Sequence, residues 1–145
     1  MISSGRISAR LMPPGWIFGH KGSAVFVEDA DTSEAFLLGY LNSALATYFM
    51  KRIVNTTATA DIGYVEKLPY RRPSAEIETH VVERVERVVA ALKADAAADV
   101  RQQREEINDA IFDLFDIRSA RDVVRRYYRD VGRVERPEED QSVSE

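Results

Sequence analysis

The sequence predicts an α+β fold: a small antiparallel strand unit packed on a central helix, followed by a helical C-terminal half. Three patterns predict it. In residues 6–12, Ile7, Ala9 and Leu11 alternate with Arg6, Ser8 and Arg10, the period of a strand with one apolar and one polar face. In residues 37–53, Leu37, Leu38, Leu41, Leu45, Tyr48 and Phe49 recur at three- and four-residue steps, which places them on one side of a helix. Beyond Pro73 the apolar residues keep helical spacing through three successive segments.

Taken in order, residues 6–12 and 23–27 read as short strands, with 16–18 as a third. Pro13-Pro14-Gly15 and Gly19-His20-Lys21-Gly22 are the turns between them. An acidic loop over 28–32 follows, and Thr32 or Ser33 can cap the helix that starts near Glu34. A polar connector holding Asn55, Thr56, Thr57 and Thr59 leads to a short apolar segment closed by Leu68-Pro69-Tyr70. Ser74 can cap a long helix over about 75–100, whose stripe is Ile77, Val81, Val85, Val88, Val89 and Leu92. A second helix over 104–115 uses Ile107, Ile111, Leu114 and Phe115. Ser119 can cap a third, ending near Gly132, which sits where a C-terminal cap is expected. The tail over 135–145 holds Pro137 and five acidic residues without apolar periodicity, and is expected to be disordered. The chain therefore divides into 1–73, an α+β unit; 74–134, a helical region; and the tail.

Composition narrows the classes. With no cysteine, disulfides, thiolate metal sites and cysteine nucleophiles are excluded, which suits a reducing cytoplasm. The first ten residues lack the apolar core of a signal peptide, and the longest apolar run, 36–50, is too short to span a bilayer. Charge is uneven: residues 1–73 carry eight basic against six acidic residues, and 74–145 carry twelve against eighteen. A free-standing DNA-binding domain normally shows a marked basic excess, because phosphate neutralisation supplies most of its non-specific affinity. Any contact with DNA must then come from a local patch within a larger assembly.

The order of pieces carries a resemblance. Residues 37–73 read LLGYLNSALATYFMKRIVNTTATADIGYVEKLPYRRP: a Leu-Asn-Ser helix ending in Lys51-Arg52, an Asn-x-Thr connector, then Ile62-Gly63-Tyr64-Val65 and Leu68-Pro69. Before them stand Ser3-Ser4-Gly5-Arg6-Ile7-Ser8-Ala9-Arg10-Leu11, Pro14-Gly15-Trp16-Ile17-Phe18 and Lys21-Gly22-Ser23-Ala24-Val25-Phe26. This succession resembles the C-terminal, target-recognition region of large adenine-specific DNA methyltransferases, including restriction-modification enzymes and BREX-type phage-defence methyltransferases. The segment from Glu106-Ile107-Asn108-Asp109 to Asp116-Ile117 resembles a short helix near the end of the same proteins. The resemblance implies that such a chain continues upstream for many hundreds of residues, with double-stranded DNA and a methyltransferase catalytic domain or subunit as partners.

The catalytic signatures of that family are missing. An N6-adenine methyltransferase needs a Gly-rich loop for S-adenosylmethionine and an Asn/Asp-Pro-Pro-aromatic loop for the target amine. Met12-Pro13-Pro14-Gly15-Trp16 puts Met where the amide belongs and Gly before the aromatic, so a Pro-Gly turn explains it. Leu68-Pro69-Tyr70 lacks both the Asn and the second Pro. No cofactor is therefore expected in this chain, and S-adenosylmethionine would bind a separate catalytic domain. Asp61, Glu66 and Lys67 have no specific nuclease spacing, and His20 and His80 are too isolated for a triad or a zinc site.

DNA contact is the surviving functional reading, with Arg6, Arg10, Lys21, Lys51, Arg52, Asn55, Thr56 and Thr57 as candidates. Each has a plainer alternative. Lys51 and Arg52 sit where a helix dipole favours cations, and Asn55, Thr56 and Thr57 can bond local backbone groups instead of phosphate oxygens or base edges. Arg121, Arg125, Arg126 and Arg129 with Tyr127 and Tyr128 look like a nucleic-acid face, but the interleaved Asp122 and Asp130 favour a salt-bridged surface helix. The competing role is an interaction module without DNA binding, homodimerising through exposed apolar surface.

Overall fold

The computed structural model describes residues 5–12, 15, 24–28, 32–54 and 62–134. Six helices order them: α1 (Glu34–Leu41), α2 (Ala44–Phe49), α3 (Ile62–Val65), α4 (Ala75–Ala94), α5 (Arg101–Leu114) and α6 (Arg121–Val134), with a π-helical turn, Met50–Val54, continuing α2. Among the described residues there is no β-ladder, which overturns the antiparallel strand unit and with it the α+β class. The fold is helical where it is described.

The caps explain where the helices begin. Ser33 Oγ accepts from the Phe36 N–H (3.3 Å) at α1, and Ser74 Oγ accepts from the Ile77 N–H (3.4 Å) at α4. The expected single central helix is interrupted: Asn42 closes α1, and Ser43 opens α2 by accepting from the Ala46 N–H (3.1 Å). The expected helix over 75–100 stops at Ala94, because Asp95 turns extended and its Oδ1 accepts from the Ala97 N–H (2.9 Å). Helix α5 ends on Asp116, in the left-handed region at φ 59°, and the Ile117 N–H returns to the Phe112 carbonyl (3.0 Å). Gly132, expected beyond the last helix, lies inside α6.

The core is one cluster. Phe36, Leu45, Met50, Val81, Ile111 and Phe112 are fully buried within it. Helices α4 and α5 pack as a hairpin, α1 lies across α4, and α6 lies against α2. The α1–α4 approach depends on Gly39, where a Cβ would come 2.9 Å from both Val81 Cγ1 and Val85 Cγ2. Leu68-Pro69-Tyr70 closes one end: Leu68 is buried, the Tyr40 hydroxyl donates to the Pro69 carbonyl, and the Tyr70 ring meets Tyr40 edge-on at 6.2 Å. Phe115 stacks on Tyr40 (5.9 Å) and takes Phe49 at its edge (5.6 Å). Burial pushes the Tyr40 hydroxyl well above the ordinary phenol range, so it stays a protonated donor.

Residues 5–12 show what replaced the sheet. The Ile7 N–H donates to Thr47 Oγ1 (3.3 Å), and the Ala9 N–H donates to Asn42 Oδ1 (3.1 Å). Asn42 Nδ2 donates to the Ala9 carbonyl (3.1 Å) and to the Leu38 carbonyl (2.9 Å). Strand-like alternation survives, with Ile7 buried and Ser8 and Arg10 exposed, but the backbone partners are side chains of the α1–α2 junction. A single Asn amide offers the donor–acceptor pair that a neighbouring strand would have supplied. Of the other expected strands, residues 24–28 form no ladder and 16–18 lie outside the described residues.

Candidate nucleic-acid interface

The α1–α2 junction is built from buried polar groups. Ser43, Thr47 and Asn108 are among the buried residues, and each has a backbone partner: Asn108 Oδ1 on α5 accepts from the Ala44 N–H at 2.8 Å. By spacing, Ser43 and Thr47 fall outside the apolar stripe of residues 37–53, yet both are buried. Their signal in the sequence was the Asn42-Ser43 pair, a cap sequence inside an apolar run.

This junction and α6 together position the candidate cations. The Arg6 guanidinium lies over the Tyr128 ring (4.1 Å to its centroid), and its Nε donates to the Tyr128 carbonyl (3.0 Å). It crosses α6 at Gly132, where a Cβ would overlap it. Arg52, exposed on the π-helical turn, lies 5.6 Å over the Tyr127 ring, and Tyr48 meets that ring edge-on at 5.5 Å. Arg6 and Arg52, 46 positions apart in sequence, thus converge on adjacent tyrosines of one helix. Arg10 stands exposed beyond the Asn42 clamp, and Lys51 is half-buried. Lys21, Asn55, Thr56 and Thr57 lie outside the described residues.

Helix α6 divides its remaining arginines. Arg121 bonds Asp113 and lies 3.6 Å from Asp109, while Arg125 pairs with Asp109 (2.6 Å) and Glu105 (3.4 Å). Both also cover the Phe112 ring. The ion-paired reading of these arginines is the one the structure gives, with partners on α5 rather than on α6 itself. Arg126 and Arg129 remain exposed. Elsewhere, the Arg84 guanidinium and then Gln102 hold the Glu106 carboxyl below the usual carboxylate range, and Arg101 brings Asp99 down to about 2. These shifts arise from ion pairs on the surface, and none marks a proton-transfer site.

Among the described residues no cluster of His, Asp or Glu could hold a metal ion, and no helix is long and apolar enough to cross a membrane. What the surface offers is hydrogen-bond donors: the exposed Arg10 and Arg52 have the planar fork that suits phosphate oxygens. Several large apolar side chains are exposed as well, with Phe26 at 73% and Ile53 at 64%.

Over 94 residues, 65% of the chain, the sequence is 34% identical to an adenine-specific methyltransferase, PglX, of Lacticaseibacillus casei (strain Zhang). A 94-residue region of the chain is thus related to part of an adenine-specific methyltransferase. It spans about 7% of that relative's length, so the similarity concerns a small region of a much larger protein. No protein-family model matches the chain, and no solved structure matches it.

Proposed function

We propose that the chain is a non-catalytic DNA-recognition module, the C-terminal part of the target-recognition region of an N6-adenine DNA methyltransferase from a restriction-modification or phage-defence system. The observation that carries this reading is its 94-residue similarity to an adenine-specific methyltransferase, in a sequence without the cofactor loop or the Asn-Pro-Pro-aromatic loop. Its partners are double-stranded DNA and a catalytic domain or subunit that binds S-adenosylmethionine, in the cytoplasm. The module positions the duplex, and the catalytic domain flips and methylates the adenine. Arg10 and Arg52 supply phosphate contacts, with Lys21, Lys51, Asn55, Thr56 and Thr57 as further candidates. Arg6 acts mainly by holding the N-terminal segment on α6.

A salt titration of fluorescence anisotropy with labelled duplex DNA tests this. Binding at low salt should weaken steeply as salt rises, and replacing Arg10 and Arg52 with Ala should lower the logarithmic salt slope by about one for each phosphate no longer neutralised. No binding at low salt would sink the reading for the isolated chain. A second reading rests on the exposed Phe26, Ile53 and Val123: a protein-interaction module that homodimerises and does not bind DNA. A dimer by light scattering together with no anisotropy change favours it.

A further inference from the structure

Residues 7–12 run without a bend, and Ala9 directs both its N–H and its C=O to the same side, onto Asn42. That is β geometry, since a helical residue points the two groups in opposite directions. In β geometry the bonding direction alternates residue by residue. The backbone groups of Ile7 and Ala9 face the α1–α2 junction, so those of Ser8 and Arg10 face away from it. Among the described residues the N–H and C=O of Ser8 and Arg10 have no hydrogen-bond partner, and both side chains are exposed. The segment is held straight on one side by side chains and, among the described residues, unpaired on the other. It is an edge strand without a sheet.

Two neighbouring features select what fits this edge. The side chain exposed at its centre is Arg10, and residues 5–12 contain no acidic residue. At its C-terminal end, Leu11 walls an open groove of about 580 Å³ whose lining mixes Val85, Val89 and Ala90 with Glu34, Glu86 and Lys93. A self-pairing centred on Ser8 or on Arg10 sets arginines opposite each other, an unfavourable pairing.

We propose that the outer edge of residues 8–10 is a β-augmentation site for an extended segment of a protein partner. That segment carries an acidic residue opposite Arg10 and an apolar residue for the groove beside Leu11. Backbone hydrogen bonds supply affinity, while the charge and the groove supply selection. The proposal does not depend on the DNA reading. It rests on the Ser8 and Arg10 backbone and shares with DNA contact only the Arg10 side chain.

The test is anisotropy of a short labelled peptide of alternating Glu and Val, titrated with the full chain. The peptide should bind, and versions with Lys for Glu, or with alternate amides N-methylated, should bind about tenfold more weakly, the worth of one or two hydrogen bonds. Ser8→Pro removes one outward N–H and leaves the inner bonds of Ile7 and Ala9 in place, so it should cost a similar factor with unchanged helical circular dichroism. If Ser8→Pro does not fold, the N-methylated peptide on the unaltered chain decides the matter. Equal binding of the N-methylated peptide, or no binding of any peptide, overturns the proposal. Loss of DNA binding alone leaves it standing and sinks only the reading above.

Discussion

The α1–α2 junction and the α5–α6 contact both bring charged or polar groups against the core, and they do so by opposite means. At the junction, Asn42, Ser43, Thr47 and Asn108 are neutral, and each oxygen or amide meets a backbone group. At α5–α6, Arg121 and Arg125 reach acids on the facing helix while their guanidinium groups cover Phe112, and the acids stay about half exposed or more. Neutral groups can be buried fully because one or two hydrogen bonds satisfy them. In the ion pairs, by contrast, the carboxylates stay in water, and the arginines, about a quarter exposed, leave Arg125 Nε buried without a hydrogen bond. The first arrangement fixes a backbone segment. The second joins α6 to α5 through ion pairs and arginine–ring contacts, while α6 packs against α2.

That difference can be broken at its apolar end first. Phe112 is fully buried under Arg121 and Arg125, so Phe112→Ala should cost about 3–5 kcal/mol and lower the denaturation midpoint without changing its slope. If removing Arg121 and Arg125 together costs more than Phe112→Ala, the ion pairs rather than the ring hold α6.

The junction predicts a smaller but more local effect. Asn42→Leu removes three hydrogen bonds and leaves the Ala9 backbone unpaired, for about 1–3 kcal/mol. Thr47→Val, which loses one bond, should cost about 1 kcal/mol. Both should speed trypsin cleavage after Arg10, Asn42→Leu the more, with helix content retained. Unchanged cleavage would mean that Arg6 on Tyr128 is the true anchor of the segment.

The smallest effect concerns the exposed ion pair between α4 and α5. Arg101 holds the Asp99 carboxyl down from 3.8 to about 2. A depressed carboxylate contributes stability above its ordinary range and loses it as pH falls toward the folded value. Asp99→Asn should therefore lower the melting temperature slightly at pH 7, and the difference from the unaltered chain should vanish as pH drops from about 4 to about 2. A difference that persists at the acid end points to the turn made by the Asp99 side chain, not to its charge.

Much of the helical half was legible in the amino-acid sequence. Ser74 caps the helix it was expected to cap, Ser33 rather than Thr32 caps α1, and the stripes of α4 and α5 bury Val81, Val85, Ile107 and Ile111 as their spacing implied. The first strand was only half legible. Its alternation marked Ile7 as inward and Arg10 as outward, as found, but Leu11 on the same apolar face is exposed and Arg6 on the polar face packs on α6. Nor does alternation say what will satisfy the backbone. Of the candidate cations, the sequence named Arg6 and Arg52 without any sign that Tyr128 and Tyr127 would receive them.

The sequence by itself determined where the later helices lie, which faces they bury, and that no familiar methyltransferase catalytic loop is present. All of this is written in neighbours three or four positions apart. Tertiary structure decided that residues 5–12 dock on side chains instead of a strand, and that Arg6 belongs to α6. Those outcomes join residues 33, 40 and 122 positions apart, so they depend on how the packed helices bring distant polar groups within hydrogen-bond reach. Local spacing cannot encode a partner that only the completed core puts in place.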